Sequence, residues 1–283
     1  MAQIPWHELN DGHHIPGIGF GTYPMKGDEC ASAVKQALEA GYRLIDSAVN
    51  YGNEVEVGQG IREYLHQTGT PRSEVTVQTK LPGRHHDFEA AIGSAQESFD
   101  KLQLGAIDVL LIHWPNPLTN KFRDAWRALV ELRERGVVRT IGVSNFTEEH
   151  LQIVSDDTGV VPAINQVELH PYFNQAALRT FHDEAGIVTQ SWSPLGKRQA
   201  PYGEEAVVSA AQAHGVTPAQ VILRWQVQLG NVPLPKSATP SRQAENLNIF
   251  NFELTAPQMA AINALTNPDG RLFGGDPTTH EEM

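Results

Sequence analysis

Four apolar runs in this chain each end in polar groups, and they recur at a nearly constant interval. Residues 42–46 end in the carboxylate of Asp46, 75–80 in the ammonium of Lys80, 107–113 in the imidazole of His113, and 140–145 in Ser144 and Asn145. The successive steps from Asp46 to Lys80, to His113 and to Ser144 are 34, 33 and 31 residues. That is the length of one strand followed by one helix. A charge at the end of an apolar run needs partners, because burying it unpaired is costly. A repeated strand–helix unit would bring all four ends to one rim, so the recurrence points to an enzyme.

The alternation continues along the chain. Strands are expected near 17–21, 42–46, 75–79, 108–112, 139–143, 163–167, 187–191 and 231–235. Helices are expected near 28–40, 53–67, 87–103, 120–135, 147–156, 174–184, 203–213, 217–229 and 239–248. In the third helix Phe88, Ile92, Ala95, Phe99 and Leu102 fall on one face, and Asp87 stands where an N-cap belongs. Thr217-Pro218-Ala219-Gln220 combines an N-cap, a first-turn proline and a capping-box glutamine. Eight strands alternating with helices predict an α/β fold, a (β/α)8 TIM barrel, with catalytic groups at the C-terminal strand ends. An open doubly wound sheet is the alternative. The turn Asn10-Asp11-Gly12 predicts an N-terminal β-hairpin capping one end of the barrel, and extra C-terminal helices follow it. No linker divides the chain, so residues 1–283 are read as a single domain, with the Gly-, Pro- and acid-rich tail 271–283 partly mobile.

Composition removes several functions. A net charge of −12 leaves no surplus of Lys and Arg for nucleic acid. No run approaches the ~20 apolar residues of a membrane span, and Met1-Ala2-Gln3-Ile4-Pro5-Trp6 lacks a signal-peptide pattern. The lone Cys30 cannot form an intrachain disulfide and reads as a packed helix-face thiol. A cytoplasmic location is therefore expected. The pairs His13-His14 and His85-His86 show no metal-ligand spacing, so no metal is expected, and the second pair is placed at a pocket mouth or in solvent. After Gly17 and Gly19 the third glycine of a dinucleotide fingerprint is missing, since Thr22 holds its place.

Singly, each rim residue has a bland reading: Asp46 a cap or ion pair, Lys80 a solvated loop lysine, His113 a structural histidine, Tyr51 and Trp192 rim packers. Together they suit one chemistry. A tyrosine releases its proton near pH ~10. An ammonium ~4 Å away stabilises the phenolate by up to ~4 kcal/mol at an effective dielectric of ~20. Lys80 would supply that field to Tyr51, Asp46 would keep Lys80 charged, and His113 would orient a carbonyl. The set fits protonation of a carbonyl oxygen as hydride reaches its carbon. No serine elbow for hydrolysis is present, and a carboxylate pair for glycoside cleavage is lacking.

These residues also carry a family resemblance. Gly41-Tyr42-Arg43 through Asp46-Ser47-Ala48, with Glu54 and Gly58, and later Val232-Pro233-Leu234-Pro235-Lys236-Ser237, resemble the signatures of the NADP(H)-dependent aldo-keto reductases. The bacterial 2,5-diketo-D-gluconate reductase branch is the most similar, over roughly residues 4–265. The resemblance implies that Tyr51 is the proton donor, Lys80 and Asp46 its tuning pair, and His113 the substrate-orienting group. It implies NADPH/NADP+ as cofactor, with Gly21 and Thr22 beside the nicotinamide ribose. Ser144, Asn145 and Gln166 would meet the carboxamide, Trp192 would stack on the ring, and Ser193 and Leu195 would follow the pyrophosphate. Lys236, Ser237 and Arg242 would hold the 2′-phosphate at the start of a helix, with Glu245 and Asn246 near the adenine.

Tyr23 and Trp114 are expected as walls of a substrate pocket. Where related reductases carry an aromatic two positions after the lysine, this chain has Pro82. With a short segment after residue 250, that implies an open pocket for small-molecule carbonyl substrates. A monomer is expected. The competing reading is a catalytically idle NADP(H)-binding sensor or structural barrel on the same scaffold.

Overall fold

The computed structural model describes residues 4–282. Eight strands form one all-parallel sheet, each pairing with the next in sequence order. They are β3 (Phe20–Gly21), β4 (Leu44–Asp46), β5 (Thr76–Leu81), β6 (Ile107–Ile112), β7 (Val138–Ser144), β8 (Ile164–Glu168), β9 (Val188–Trp192) and β10 (Val232–Pro233). The two ends of the sheet meet. The Gly19 amide donates to Pro233 O at 3.0 Å and the Gly21 amide to Pro235 O at 3.1 Å, which closes the cylinder. Closure requires glycine at 19, where a Cβ would lie 2.5 Å from Leu234 Cδ2 and 2.7 Å from Leu44 Cδ2. The antiparallel hairpin of β1 (Trp6–Glu8) and β2 (His14–Pro16) precedes the cylinder. From it Leu9 and Ile15 join Leu44, Val109, Leu111, Ile164, Val232 and Leu234 in one apolar cluster. The hairpin thus covers one end of the cylinder, with Leu9 and Ile15 packed on its interior side chains.

The helices wrap the outside: α1 (Gly27–Ala40), α2 (Glu54–Thr68), α3 (Phe88–Leu102), α4 (Phe122–Glu134), α5 (Glu148–Thr158), α6 (Ala176–Ala185), α7 (Glu205–His214), α8 (Pro218–Gln228), α9 (Pro240–Leu247) and α10 (Ala256–Asn263). α8 has the capping box its sequence announces, with Thr217 and Gln220 each bonding the other's backbone amide. α10 was not expected individually, although Thr255, Pro257 and Gln258 give it a capping box of the same type. In α3 the buried face is narrower than the apolar spacing suggests: Ala91, Ser94, Ala95, Ser98 and Leu102 turn inward, while Phe88, Ile92 and Phe99 are half-buried. Small residues let this helix sit close to the sheet. Asp87 occupies the N-cap position of α3 but spends its carboxylate on Lys121 Nζ at 2.5 Å. Cys30 packs within α1, its thiol pushed up to about 12 by burial, and is unreactive. No helix among the described residues is long and apolar enough to cross a membrane.

One layer inside the cylinder is polar. Pairing sets Asp46 beside Gln78 and Gln166 beside Gln190, and all four side chains are buried. Gln78 Nε2 donates to Asp46 Oδ1 at 2.7 Å and to Gln190 Oε1 at 2.8 Å. Gln166 Nε2 reaches the same two acceptors at 3.0 Å each, and Gln190 Nε2 returns a bond to Gln78 Oε1 at 2.9 Å. Every link in this ring is a buried polar group that depends on its neighbours, with Asp46 also held by Lys80. Removing one leaves the others unpaired, at about 1–3 kcal/mol for each orphaned group.

Two predictions follow from the interior. Gln190→Leu should lower the unfolding free energy by at least about 2 kcal/mol in urea denaturation, because three bonds lose their partner; a loss under about 0.5 kcal/mol would mean the ring is not a unit. The second concerns His182, whose Nε2 accepts from Asn165 at 2.9 Å while its Nδ1 donates to Thr189 Oγ1 at 2.8 Å. Burial, with a smaller contribution from the Arg179 charge, brings its pKa down to about 3. The folded state therefore holds the ring neutral where the unfolded chain would protonate it. This contribution is full above about pH 6.5 and is lost progressively as pH falls toward about 3. In thermal melts between about pH 7 and 4, His182→Gln should show a shallower decline in Tm than the parent chain, whatever its Tm at neutrality; parallel declines would contradict the assignment.

Candidate active site

The rim groups converge as their spacing requires. Asp46 closes β4, Lys80 lies near the end of β5 and His113 directly follows β6. Tyr51 ends a one-turn 3-10 helix, Val49–Tyr51, between β4 and α2. Lys80 is fully buried and places its three donor directions on Asp46 Oδ1 at 2.7 Å, Ser47 O at 2.8 Å and Tyr51 Oη at 3.3 Å. An ammonium can only donate, so the phenol oxygen is the acceptor and the phenolic proton is free to point elsewhere. The His113 ring stands edge-on to Tyr51 with centroids 5.7 Å apart, and the Tyr23 ring lies 5.1 Å away on another side.

The loop carrying Tyr51 is fixed from below. Asn53 accepts from Ser47 Oγ at 2.6 Å and donates to Met25 O at 2.9 Å and Thr22 Oγ1 at 3.2 Å. Glu54, buried, accepts from Thr79 Oγ1 at 2.6 Å. Asn53 was not singled out from sequence, and Glu54 appeared there only as part of a signature.

Electrostatics correct one expectation. The field of Lys80 does not leave Tyr51 more acidic than a free phenol. Burial holds the phenol well above its ordinary range, and the negative charges of Asp46 and Glu282 add to the effect. Asp46 lies 2.7 Å from the ammonium and cancels much of its field. Burial also lowers the pKa of Lys80, with Asp46 acting in opposition. Tyr51 therefore keeps its proton near neutrality and stands as a phenol rather than a phenolate.

Beside Tyr51 opens a cavity of about 900 Å³. Gly21, Tyr23, Asp46, Tyr51, Trp192, Ser193, Leu195, Lys236, Ser237, Arg242, Glu245 and Asn246 line it. Lys236 and Arg242 are exposed at its far end, where Pro240 begins α9. Glu245 is already engaged, accepting from Thr217 Oγ1 at 2.7 Å. Thr22, Ser144, Asn145 and Gln166 are buried behind the wall. Asn145 donates to His113 O at 3.0 Å and accepts from the Trp192 indole at 2.8 Å, so it ties the end of the histidine strand to Trp192. Ser144 Oγ donates to Gln166 O at 2.7 Å, and the Gln166 amide is spent on the interior ring. Lys197, which sequence reasoning missed, lies 5.3 Å from the Tyr23 ring and 4.5 Å from the Phe273 ring, bridging over the cavity mouth.

The largest departure from expectation is the tail. Through residue 282 it is held across the rim, and the pocket is not open on that side; Met283 lies outside the described residues. The Leu272 amide donates to the buried Glu168 at 2.6 Å, Phe273 stacks on Trp192 at 6.3 Å, and the His280 ring packs 4.2 Å from that of Trp114. Asn116 clamps the Glu282 backbone in both directions, at 2.6 and 3.1 Å. The Glu282 carboxylate then accepts from Asn50 Nδ2 at 2.7 Å and from the Gly83 amide at 3.2 Å. His113 Nδ1 lies 2.7 Å from Glu282 Oε1, a contact that becomes an ion pair whenever the ring carries a proton. Burial would raise the pKa of Glu282, but His113, Asn50 and Gly83 outweigh it and hold the carboxyl below its usual range. The room left by Pro82-Gly83 is thus filled by the chain's own end. His86, expected at the mouth or in solvent, is buried, and its pKa falls to about 4 chiefly through burial. Among the described residues no group of three or more His, Cys, Asp or Glu could hold a metal ion.

Known proteins match this arrangement along most of the chain. The Aldo/keto reductase family profile matches residues 17–267. The chain is 53% identical to 2,5-diketo-D-gluconic acid reductase B of Corynebacterium sp. (strain SHS752001), over 283 residues and 100% of both proteins. Among solved structures, apo Gox0644 superposes with a TM-score of 0.93 at 42% identity, covering 99% of each chain. A Bombyx mori aldo-keto reductase in complex with NADP gives 0.88 at 33% identity over 94% of each chain. A Gox0644 variant in complex with NADPH gives 0.92 at 42% identity, again over 99% of each. The closed parallel cylinder, the four rim groups and these likenesses agree: the chain belongs to the aldo/keto reductase family.

Proposed function

We propose that this chain reduces small aldehydes, ketones or diketones to alcohols with NADPH, reversibly, and that Tyr51 is the general acid. The observation that carries this reading is the Lys80 bond to Tyr51 Oη, with His113 beside the ring and the cavity in front of it. Lys80 fixes the phenol oxygen, so the transferable proton points away from the barrel interior. His113 would hold the carbonyl in line, and the edge of Tyr23 would limit its approach. Trp114 would form the opposite wall once His280 moves.

The cavity fits a dinucleotide carrying an extra phosphate. It is long and lined by Trp192 near Tyr51, and two cations stand at the start of α9, where helix amides favour an anion. NADPH, when bound, supplies the hydride. Lys236, Ser237 and Arg242 would hold its 2′-phosphate, Trp192 would stack on the nicotinamide, and Asn145 would fix both Trp192 and the His113 strand. Gln166 would have to meet a carboxamide through whatever its interior bonds leave free. Residues 1–283 would act as one domain and, we infer, as a cytoplasmic monomer. The likeness to a 2,5-diketo-D-gluconic acid reductase makes keto-sugar acids a natural first panel.

Tyr51→Phe should lower kcat for carbonyl reduction by about 10²–10⁴-fold, the usual worth of a positioned acid, while the NADPH dissociation constant stays within about twofold. Turnover like that of the parent chain would refute the role of Tyr51. Tight NADPH binding with no oxidation across aldehydes, ketones and diketones would favour the idle sensor. Arg242→Ala should weaken NADPH binding by about 10- to 100-fold, as loss of a charge-assisted bond implies, and leave NADH binding unchanged. Equal weakening of both would contradict the phosphate clamp.

A further inference from the structure

The tail reaches the rim as a ligand would. Glu282 is separated by 199 residues from Gly83 and by 232 from Asn50, and nothing in the barrel's own pairing calls for a carboxylate there. Yet its side chain, only 12% exposed, is met from three directions. Asn50 comes from the loop that presents Tyr51, Gly83 from the loop after Lys80, and His113 from the end of β6. These are the three segments that carry the proton-transfer machinery. A carboxylate at that depth is stable only with such partners, and the donors form a nest shaped for one.

The nest is also cut to admit the tail backbone. A Cβ on Gly83 would stand 2.1 Å from Asn116 Nδ2 and 2.3 Å from Glu282 O, so any larger residue would collide with both the clamp and the tail. This glycine follows Pro82, the position at which the chain departs from the aromatic of the related reductases. The gap and its occupant belong together.

We propose that Glu282 is a tethered competitor: its carboxylate fills an anion subsite made by Asn50, the Gly83 amide and His113, and a carbonyl substrate that bears its own carboxylate binds by displacing it. A keto acid can take over the three contacts that the tail gives up. A neutral carbonyl compound has no use for those contacts and binds beside the tail. The apparent affinity for an anion is then reduced by the fraction of molecules whose tail is out. Departure of Glu282 removes one of the carboxylate charges that add to burial in raising the Tyr51 pKa, and the carboxylate of the arriving acid replaces it. This inference rests on the proposed reductase reading for its substrate, but the subsite can be tested without turnover.

The decisive probe is acetate, which fills an anion subsite and cannot be reduced. Its affinity would be measured by ligand-observed NMR titration for the full chain, for Glu282→Gln and for a chain ending at Thr279. Both altered chains should bind acetate at least about tenfold more tightly than the full chain, and adding Asn50→Ala to the shortened chain should remove the gain. Equal affinity in all chains, or tighter binding that Asn50→Ala leaves intact, would overturn the proposal. In the NADPH assay Glu282→Gln should lower KM for glyoxylate several-fold and leave KM for neutral methylglyoxal nearly unchanged; equal shifts for both would also overturn it. If no chain oxidises NADPH with any carbonyl, the reductase reading fails, while the acetate titration still decides the subsite.

Discussion

The buried ion pair between Lys80 and Asp46 governs the whole arrangement. A lysine with no exposed surface loses its charge unless something replaces its hydration, and burial does depress its pKa. Asp46 replaces part of that hydration at 2.7 Å, Ser47 O at 2.8 Å and the Tyr51 phenol at 3.3 Å. Asp46 in turn is held as an acceptor by Gln78 and Gln166, so one carboxylate oxygen collects three N–H donors. The polar ring inside the cylinder and the Tyr51 phenol at its rim are one connected structure. This explains why a tyrosine on a loop can be as fixed as a residue on a strand.

The sequence spoke most clearly where physics is local and repeated. Runs of apolar residues ending in Asp46, Lys80, His113 and Ser144 at steps of 34, 33 and 31 residues demand a repeated strand–helix unit, and the cylinder follows. The capping box at Thr217 was legible because its partners lie three residues apart. The same signature at Thr255 marks α10 and was available to be read. Gln78 could have been found too: it stands two residues before Lys80 on a strand, hence on the same inward face. The Gln190 partnership depends on two strands far apart in the chain, separated by 112 residues, and no local pattern encodes it.

The tail was illegible for a stronger reason. Gly, Pro and acidic residues at a chain end normally signal solvent, and composition alone supports mobility. What holds residues 271–282 is a set of distant partners: Glu168 for Leu272, Trp192 for Phe273, Trp114 for His280, and the Asn50, Gly83 and His113 group for Glu282. Burial first, then Asp46 and the tail's Glu282, reverse the expected acidity of Tyr51. A lysine considered by itself lowers a neighbouring pKa; a lysine already neutralised by Asp46, with a second carboxylate nearby, does not.

The most direct test of the coupled donor is a double-substitution cycle on Tyr51 and Lys80. If the phenol works only as Lys80 and Asp46 position it, Tyr51→Phe combined with Lys80→Met should reduce kcat/KM for NADPH-dependent carbonyl reduction no further than the more damaging single change, as groups acting as one unit do. If the two losses multiply, the side chains act independently, and the account of a single connected donor is wrong.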